Sequence, residues 1–208
     1  SLDQILAYRD TGVGALCGST LAVSNSAPLV EAGDSFTIPM QTPFTLTGSA
    51  SDTEPLTYGW EQYNLGPAGS PNNPSGNAPI FRSFSPTSNP SRTFPRLQNL
   101  LNNTTIYGEK LPTYTRTLTF RLTARDNVSG GGGFEYDTVD IPVTNQAGPF
   151  KVLTPNTLET WTYPSQKPVT WDVANTNQAP VSCSKVDIEL SVDGGYTYTQ
   201  LLASQVPN

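Results

Sequence analysis

Residues 115–124 read TRTLTFRLTA and residues 136–143 read YDTVDIPV. In the first run Leu118, Phe120, Leu122 and Ala124 fall on alternate positions; in the second Val139, Ile141 and Val143 do the same. Successive Cβ atoms of a strand point to opposite faces, so a period of two predicts one face in a core. The glycines at 130–133 permit a hairpin-like connection between the runs without fixing its turn type. This pair of strands predicts an all-β fold.

The same alternation spreads outward. Phe36-Thr37-Ile38, Phe44-Thr45-Leu46-Thr47 and Leu56-Thr57-Tyr58-Gly59-Trp60-Glu61 read as half-buried strands, so that residues 28–146 form one β-sandwich. Residues 64–113 interrupt it as a long, turn-rich insertion with one short helical piece at 97–101. Ile80, Phe81, Phe84, Phe94 and Leu97 are spaced through that insertion, and such apolar anchors predict an ordered segment lying on the sandwich. Trp60 and Trp171 sit among apolar strand neighbours and are expected in sandwich cores. Arg82, Arg92 and Arg96 have two readings: they grip an anionic ligand, or they bond loop carbonyls left unpaired by irregular backbone.

Gln146-Ala147-Gly148-Pro149 marks a boundary. Residues 147–208 then read as a second β-sandwich, with strands at 150–153, 169–173 and 186–192 and a tight turn at Asp193-Gly194-Gly195. With four or five strands and no closing strand before Val206-Pro207-Asn208, this second unit reads as truncated. The fold expected is therefore two immunoglobulin-like β-sandwich modules in tandem, the second incomplete. At the other end, residues 1–17 are the one helical stretch: Leu2, Ile5, Leu6 and Arg9 share a face, Ser1 or Asp3 caps it, and Gly12 and Gly14 end it. A lone helix of this length is marginal in water, so it is expected to pack on an upstream domain, with residues 18–27 as linker.

Composition limits the chemistry. The chain has 208 residues, 19 Pro and 17 Gly, suiting short strands and many turns. Its net charge of -6 and lack of a basic stripe exclude a nucleic-acid surface, and no apolar run is long enough to span a bilayer. There is no histidine. That removes Ser-His-Asp and Cys-His triads and the two-histidine zinc helix, leaving carboxylate chemistry open. Asp52 and Glu54, in the turn of 45-TLTGSASDTEPLTYGWEQ-62, have three readings: a hydrolase pair, a calcium site, or a plain turn. Cys17 and Cys183 either form a long-range disulfide or stay separate thiols.

Longer segments carry a resemblance. SLDQILAYRDTGVGALCG resembles the closing helix and cysteine of the catalytic domain in secreted bacterial reprolysin-like (metzincin) zinc metalloproteases. LTYGWEQYNLGPAG, NAPIFRSFSPTSNPSRTFPRL, LTFRLTARDN, PVTWDV and LSVDGG resemble the accessory region that follows it. The resemblance implies Zn2+ only in an upstream catalytic domain, and here a non-catalytic spacer, stabiliser or substrate- or surface-binding module. It also implies a secreted or cell-surface location, with the upstream protease domain and a protein or glycan substrate or cell surface as partners. The first sandwich further resembles PKD-type immunoglobulin-like domains, through Asn25 to Pro28, Ser51-Asp52-Thr53-Glu54, Tyr58-Gly59-Trp60-Glu61 and Leu122-Thr123-Ala124-Arg125-Asp126. That likeness implies Ca2+ held by Asn25, Asp52, Glu54 and Asp126, although Thr-Glu-Pro stands where Asp-Gly-Asp is usual. The rival readings are an adhesin-like glycan- or protein-binding module and a carboxylate-dependent hydrolase.

Overall fold

The computed structural model of the protein describes residues 2–17 and 22–208. The cap expected at Ser1 and residues 18–21 of the expected linker lie outside the described residues. Helix α1 spans Leu2–Asp10 and is followed by a 3-10 turn, Val13–Leu16. Strands β1 (Leu29–Glu31), β2 (Ile38–Pro39), β3 (Phe44–Thr47), β4 (Ser49–Ser51), β5 (Thr57–Gln62) and β6 (Ser91–Phe94) come next. Helix α2 (Leu97–Leu101) precedes the two long strands, β7 (Arg116–Arg125) and β8 (Phe134–Thr144). The chain is all-β in several sheets, with a short N-terminal helix.

β7 and β8 pair antiparallel, from Arg116 opposite Val143 to Arg125 opposite Phe134, and anchor a four-stranded sheet ordered β2-β8-β7-β5. Leu118, Phe120, Leu122 and Ala124 of β7 are buried, as are Val139, Ile141 and Val143 of β8, as the alternation required. Facing them is a second layer, the antiparallel pair β3–β6, with β1–β4 beside it. The layers meet in a phenylalanine cluster. Phe44 stacks on Phe94 at 5.1 Å, Phe94 lies 4.6 Å from Phe120, and Phe81 meets Phe94 edge-on at 5.1 Å. Offset and edge-on arrangements suit the ring quadrupoles and add to the area each ring buries. Gly48 lets β3 turn into β4 here: a Cβ on it would collide with the Leu122 side chain and come within 2.7 Å of the Glu31 carbonyl.

The insertion is part of this core. Ile80, Phe81 and Phe94 are buried, and β6, which sequence alternation does not predict, pairs with β3 residue for residue. The Gln62 side-chain oxygen takes the backbone N–H of Ile80 and of Phe81, at 2.8 and 3.0 Å. Trp60 is buried, as expected, and its indole N–H donates to the Pro90 carbonyl at 2.8 Å. Expected strand 36–38 shrinks to Ile38–Pro39, since Phe36 is exposed.

Beyond Gly148 lie β9 (Lys151–Thr154), β10 (Thr170–Asp172), β11 (Lys185–Leu190) and β12 (Gln200–Pro207), in two antiparallel pairs, β9–β10 and β11–β12. The four strands match the number expected; β12 is not among the strands read from the sequence, and it pairs with β11 through register shifts that spoil its alternation. Trp171 is half-buried and its N–H donates to Asn208 Oδ1. An apolar groove of about 600 Å3 runs along this unit, lined by Val152, Trp161, Trp171, Ile188 and Leu202. Cys17 and Cys183 are both exposed and free, so the bridge between them is not formed. Each thiol points instead at a nearby carbonyl, Val13 for Cys17 and Lys185 for Cys183. Among the described residues no helix is long and apolar enough to cross a membrane.

Candidate functional site

The carboxylates singled out by sequence lie around one end of the first sandwich, where β5 begins and β7 ends, Thr57 being paired with Arg125. Asp126 follows β7 and is buried. Its Oδ2 accepts from the Asn25 side-chain amide at 2.5 Å and from Gly133 N–H at 2.9 Å. Its Oδ1 accepts from Val128 N–H at 3.0 Å and Gly133 N–H at 2.9 Å. Asn25 also donates to the Gly131 carbonyl at 3.0 Å. The glycine run is needed for this wrap, since a Cβ on Gly133 would sit 2.9 Å from both Asp126 Oδ2 and Ala27 Cα. The Asn25 amide, then the backbone N–H groups, hold the Asp126 carboxyl below the ordinary carboxylate range, because they bond the charged form. Asn25 and Asp126 together act as a buckle between the segment before β1 and the β7–β8 loop.

Among the described residues no hydrogen bond joins Asp52 or Glu54 to that buckle. Asp52 Oδ1 accepts from Thr53 N–H at 2.6 Å, a local turn bond, while Glu54 is exposed. The second Asp52 oxygen, Oδ2, is buried without a hydrogen-bond partner. Among the described residues no group of three or more His, Cys, Asp or Glu side chains is placed to hold a metal ion. The geometry thus joins two of the four residues expected to bind calcium and gives each Asp126 oxygen N–H partners. Asp52 Oδ2 is the remaining carboxylate oxygen there that is buried and unpaired.

A second polar cluster lies in the insertion. The guanidinium carbons of Arg92, Arg96 and Arg82 stand 4.9, 5.1 and 5.6 Å from the centre of the Phe84 ring. Arg92 is committed inward: it donates to the Trp60 carbonyl at 2.6 Å, the Arg82 carbonyl at 2.8 Å and Glu109 Oε1 at 2.7 Å. Burial pushes the Glu109 carboxyl up despite Arg92, and the same burial pushes the Arg92 guanidinium down. Sequence reasoning missed Glu109, a single carboxylate in a turn-rich stretch with no periodicity to mark it. Arg82 and Arg96 are exposed and have no ion-pair partner among the described residues. A cavity of about 370 Å3 beside them is lined by Tyr58, Trp60, Phe84, Pro86, Arg92 and Arg96.

No protein-family model matches the sequence, and no curated protein matches it significantly. Among solved structures, the solution structure of the PKD domain from human KIAA0319 is similar, at 14% identity and a TM-score of 0.32. It covers 64% of this chain and 97% of that domain.

Proposed function

We propose that the chain is a non-catalytic β-sandwich region of a secreted bacterial zinc metalloprotease, spacing and stabilising the catalytic domain. The observation that carries the reading is how the first sandwich uses its strong polar groups. Asp126 with Asn25, Glu109 with Arg92, and Gln62 with the insertion backbone each tie a loop down. Groups so committed favour stiffness over turnover, and stiffness is what a spacer needs. The protease context rests on the segment resemblance, and the absence of histidine leaves zinc chemistry to an upstream domain. The test is the gene's reading frame: a His-Glu-x-x-His helix should be encoded upstream of Ser1. A frame without one overturns the protease context, and peptide or glycan hydrolysis by the purified chain overturns the non-catalytic role.

A second reading, an adhesin-like binding module, is favoured by one observation. Arg82 and Arg96 present guanidinium groups beside the Phe84 ring, and Phe84 and Arg96 line the 370 Å3 cavity. Cations flanking an aromatic ring suit a sugar bearing sulfate or uronate groups. Binding on a glycan array, lost in an Arg82→Ala, Arg96→Ala double variant, supports it; no binding by the parent chain rejects it.

A further inference from the structure

Arg121 lies midway along β7 on the face opposite Phe120 and Leu122, where the alternation predicts solvent. Its side chain is nonetheless only 5% exposed. The Tyr63 and Tyr136 rings enclose it, their centres 4.4 and 4.9 Å from the guanidinium carbon. Tyr63 follows β5, and Tyr136 is two positions along β8 from Thr138, the residue opposite Arg121. Glu61, directly across from Arg121, takes its Nε–H at 2.8 Å and also an Nη2 hydrogen. The remaining Nη1 is buried and has no hydrogen-bond partner.

Into this cage the chain places one carboxylate, that of Asp3. Tyr63 donates its hydroxyl to Asp3 Oδ2 at 2.8 Å, Tyr136 donates to Oδ1 at 3.1 Å, and Arg121 Nη1 stands 3.7 Å from Oδ2. The geometry points to a carboxylate-binding site made by Tyr63, Arg121 and Tyr136, with Asp3 of α1 as an internal occupant that an acidic segment of another polypeptide displaces. One hydroxyl for each oxygen, plus an unfilled N–H, matches a planar two-oxygen anion. Glu61 already neutralises Arg121, so the site selects by donor geometry rather than by net positive charge, and a dianionic phosphate meets repulsion from Glu61. The Asp3 carboxyl is held below its ordinary range by the two tyrosine hydroxyls, in line with donors aimed at the charged form.

The helix that carries the occupant is thinly packed. Among the described side chains of α1 only Asp3 and Leu6 are half-buried, while Ile5 and Tyr8 are exposed. Nine residues of helix do not hold together in water unaided. A tethered carboxylate competes at its effective local concentration, so removing it tightens binding of an outside carboxylate by the reciprocal of the fraction of sites it leaves open.

The test is an NMR titration of the full chain with an acetylated, amidated pentapeptide of alternating glycine and aspartate. Asp3→Ala is expected to bind it on the order of tenfold more tightly than the parent, with the Tyr63 and Tyr136 ring signals shifting. Adding Tyr63→Phe and Tyr136→Phe keeps both rings over Arg121 and removes the donors; binding should vanish while thermal unfolding stays cooperative. The matching glycine–asparagine peptide and inorganic phosphate should leave the ring signals unmoved. Equal affinity in parent and Asp3→Ala, retention in the double phenylalanine variant, or no binding by Asp3→Ala each overturns the proposal.

Discussion

Arg92 Nη2 and Glu109 Oε1 lie 2.7 Å apart inside the insertion, with the Glu109 side chain 1% and the Arg92 side chain 13% exposed. The other Glu109 oxygen accepts the Arg96 backbone N–H at 2.7 Å, where the chain enters α2. Arg92 sits over the Phe94 ring at 4.2 Å, so the pair is tied to the phenylalanine core as well. The insertion acquires a fixed shape here because these two charges bond each other and the backbone, leaving Arg92 Nε as the one buried atom of the pair without a hydrogen bond.

Removing one partner leaves the other charged, dry and unpaired. Glu109→Ala is therefore expected to cost about 3–5 kcal/mol. Replacing both, Arg92→Leu with Glu109→Leu, should cost less than Glu109→Ala alone, since no charge is then stranded. Chemical denaturation of the variants checks this. A loss below about 1 kcal/mol in Glu109→Ala would mean the pair is wet, contrary to the burial described.

Phe94 tests whether the insertion belongs to the core. It is fully buried and touches Phe44, Phe81 and Phe120. Phe94→Ala should lose about 3–5 kcal/mol, through lost transfer energy and the cavity left behind. Leu65→Ala in the same insertion, at an exposed side chain, should stay within about 0.5 kcal/mol of the parent. Similar small losses at both sites, measured by urea unfolding, would detach the insertion from the sandwich.

Those two residues also mark what the sequence could reveal. β3, β7 and β8 were legible because each alternates long enough for one face to be read, and the 97–101 helix fell where expected. β6 was not: Ser91–Phe94 lies between Pro90 and Pro95, and its partner, β3, is far off in sequence. β12 escaped because Leu201 and Leu202 are adjacent and its register with β11 shifts. At the sites, Asn25 and Asp126 came from a resemblance that placed both at one end of a sandwich. Arg121, in an alternating Thr/Arg row, reads as a solvated position; only Tyr63 and Tyr136, brought in by strand pairing, make it a cage.

Acid should open the Asn25–Asp126 buckle. The folded carboxyl of Asp126 is depressed, so its contribution is present above the ordinary aspartate value, about 3.9, and is lost as pH falls through the folded value. Glu109 works in the opposite sense. Burial raises it, so its contribution is complete below the ordinary glutamate value, about 4.3, and is lost as pH rises through the folded value. Asp126→Asn should lower the thermal midpoint at pH 7 and reduce the further loss on acidification below pH 4. Midpoint curves for parent and variant that run parallel through that range would deny Asp126 the role.

Calcium provides the last discrimination. The ion takes six to eight oxygens, and a carboxylate that serves it must turn its lone pairs to the metal. Asp126 has both oxygens engaged by the Asn25 amide and the Val128 and Gly133 N–H groups, and Glu54 is exposed. Binding there would have to break the buckle that holds the loop ends together. The expected result is therefore equal thermal midpoints in millimolar calcium and in chelator, since an ion bound to the folded state alone must raise the midpoint. The orphaned Asp52 Oδ2 sets the contrary outcome. A midpoint raised by calcium, and no longer raised in Asp52→Asn, would place an ion on that oxygen.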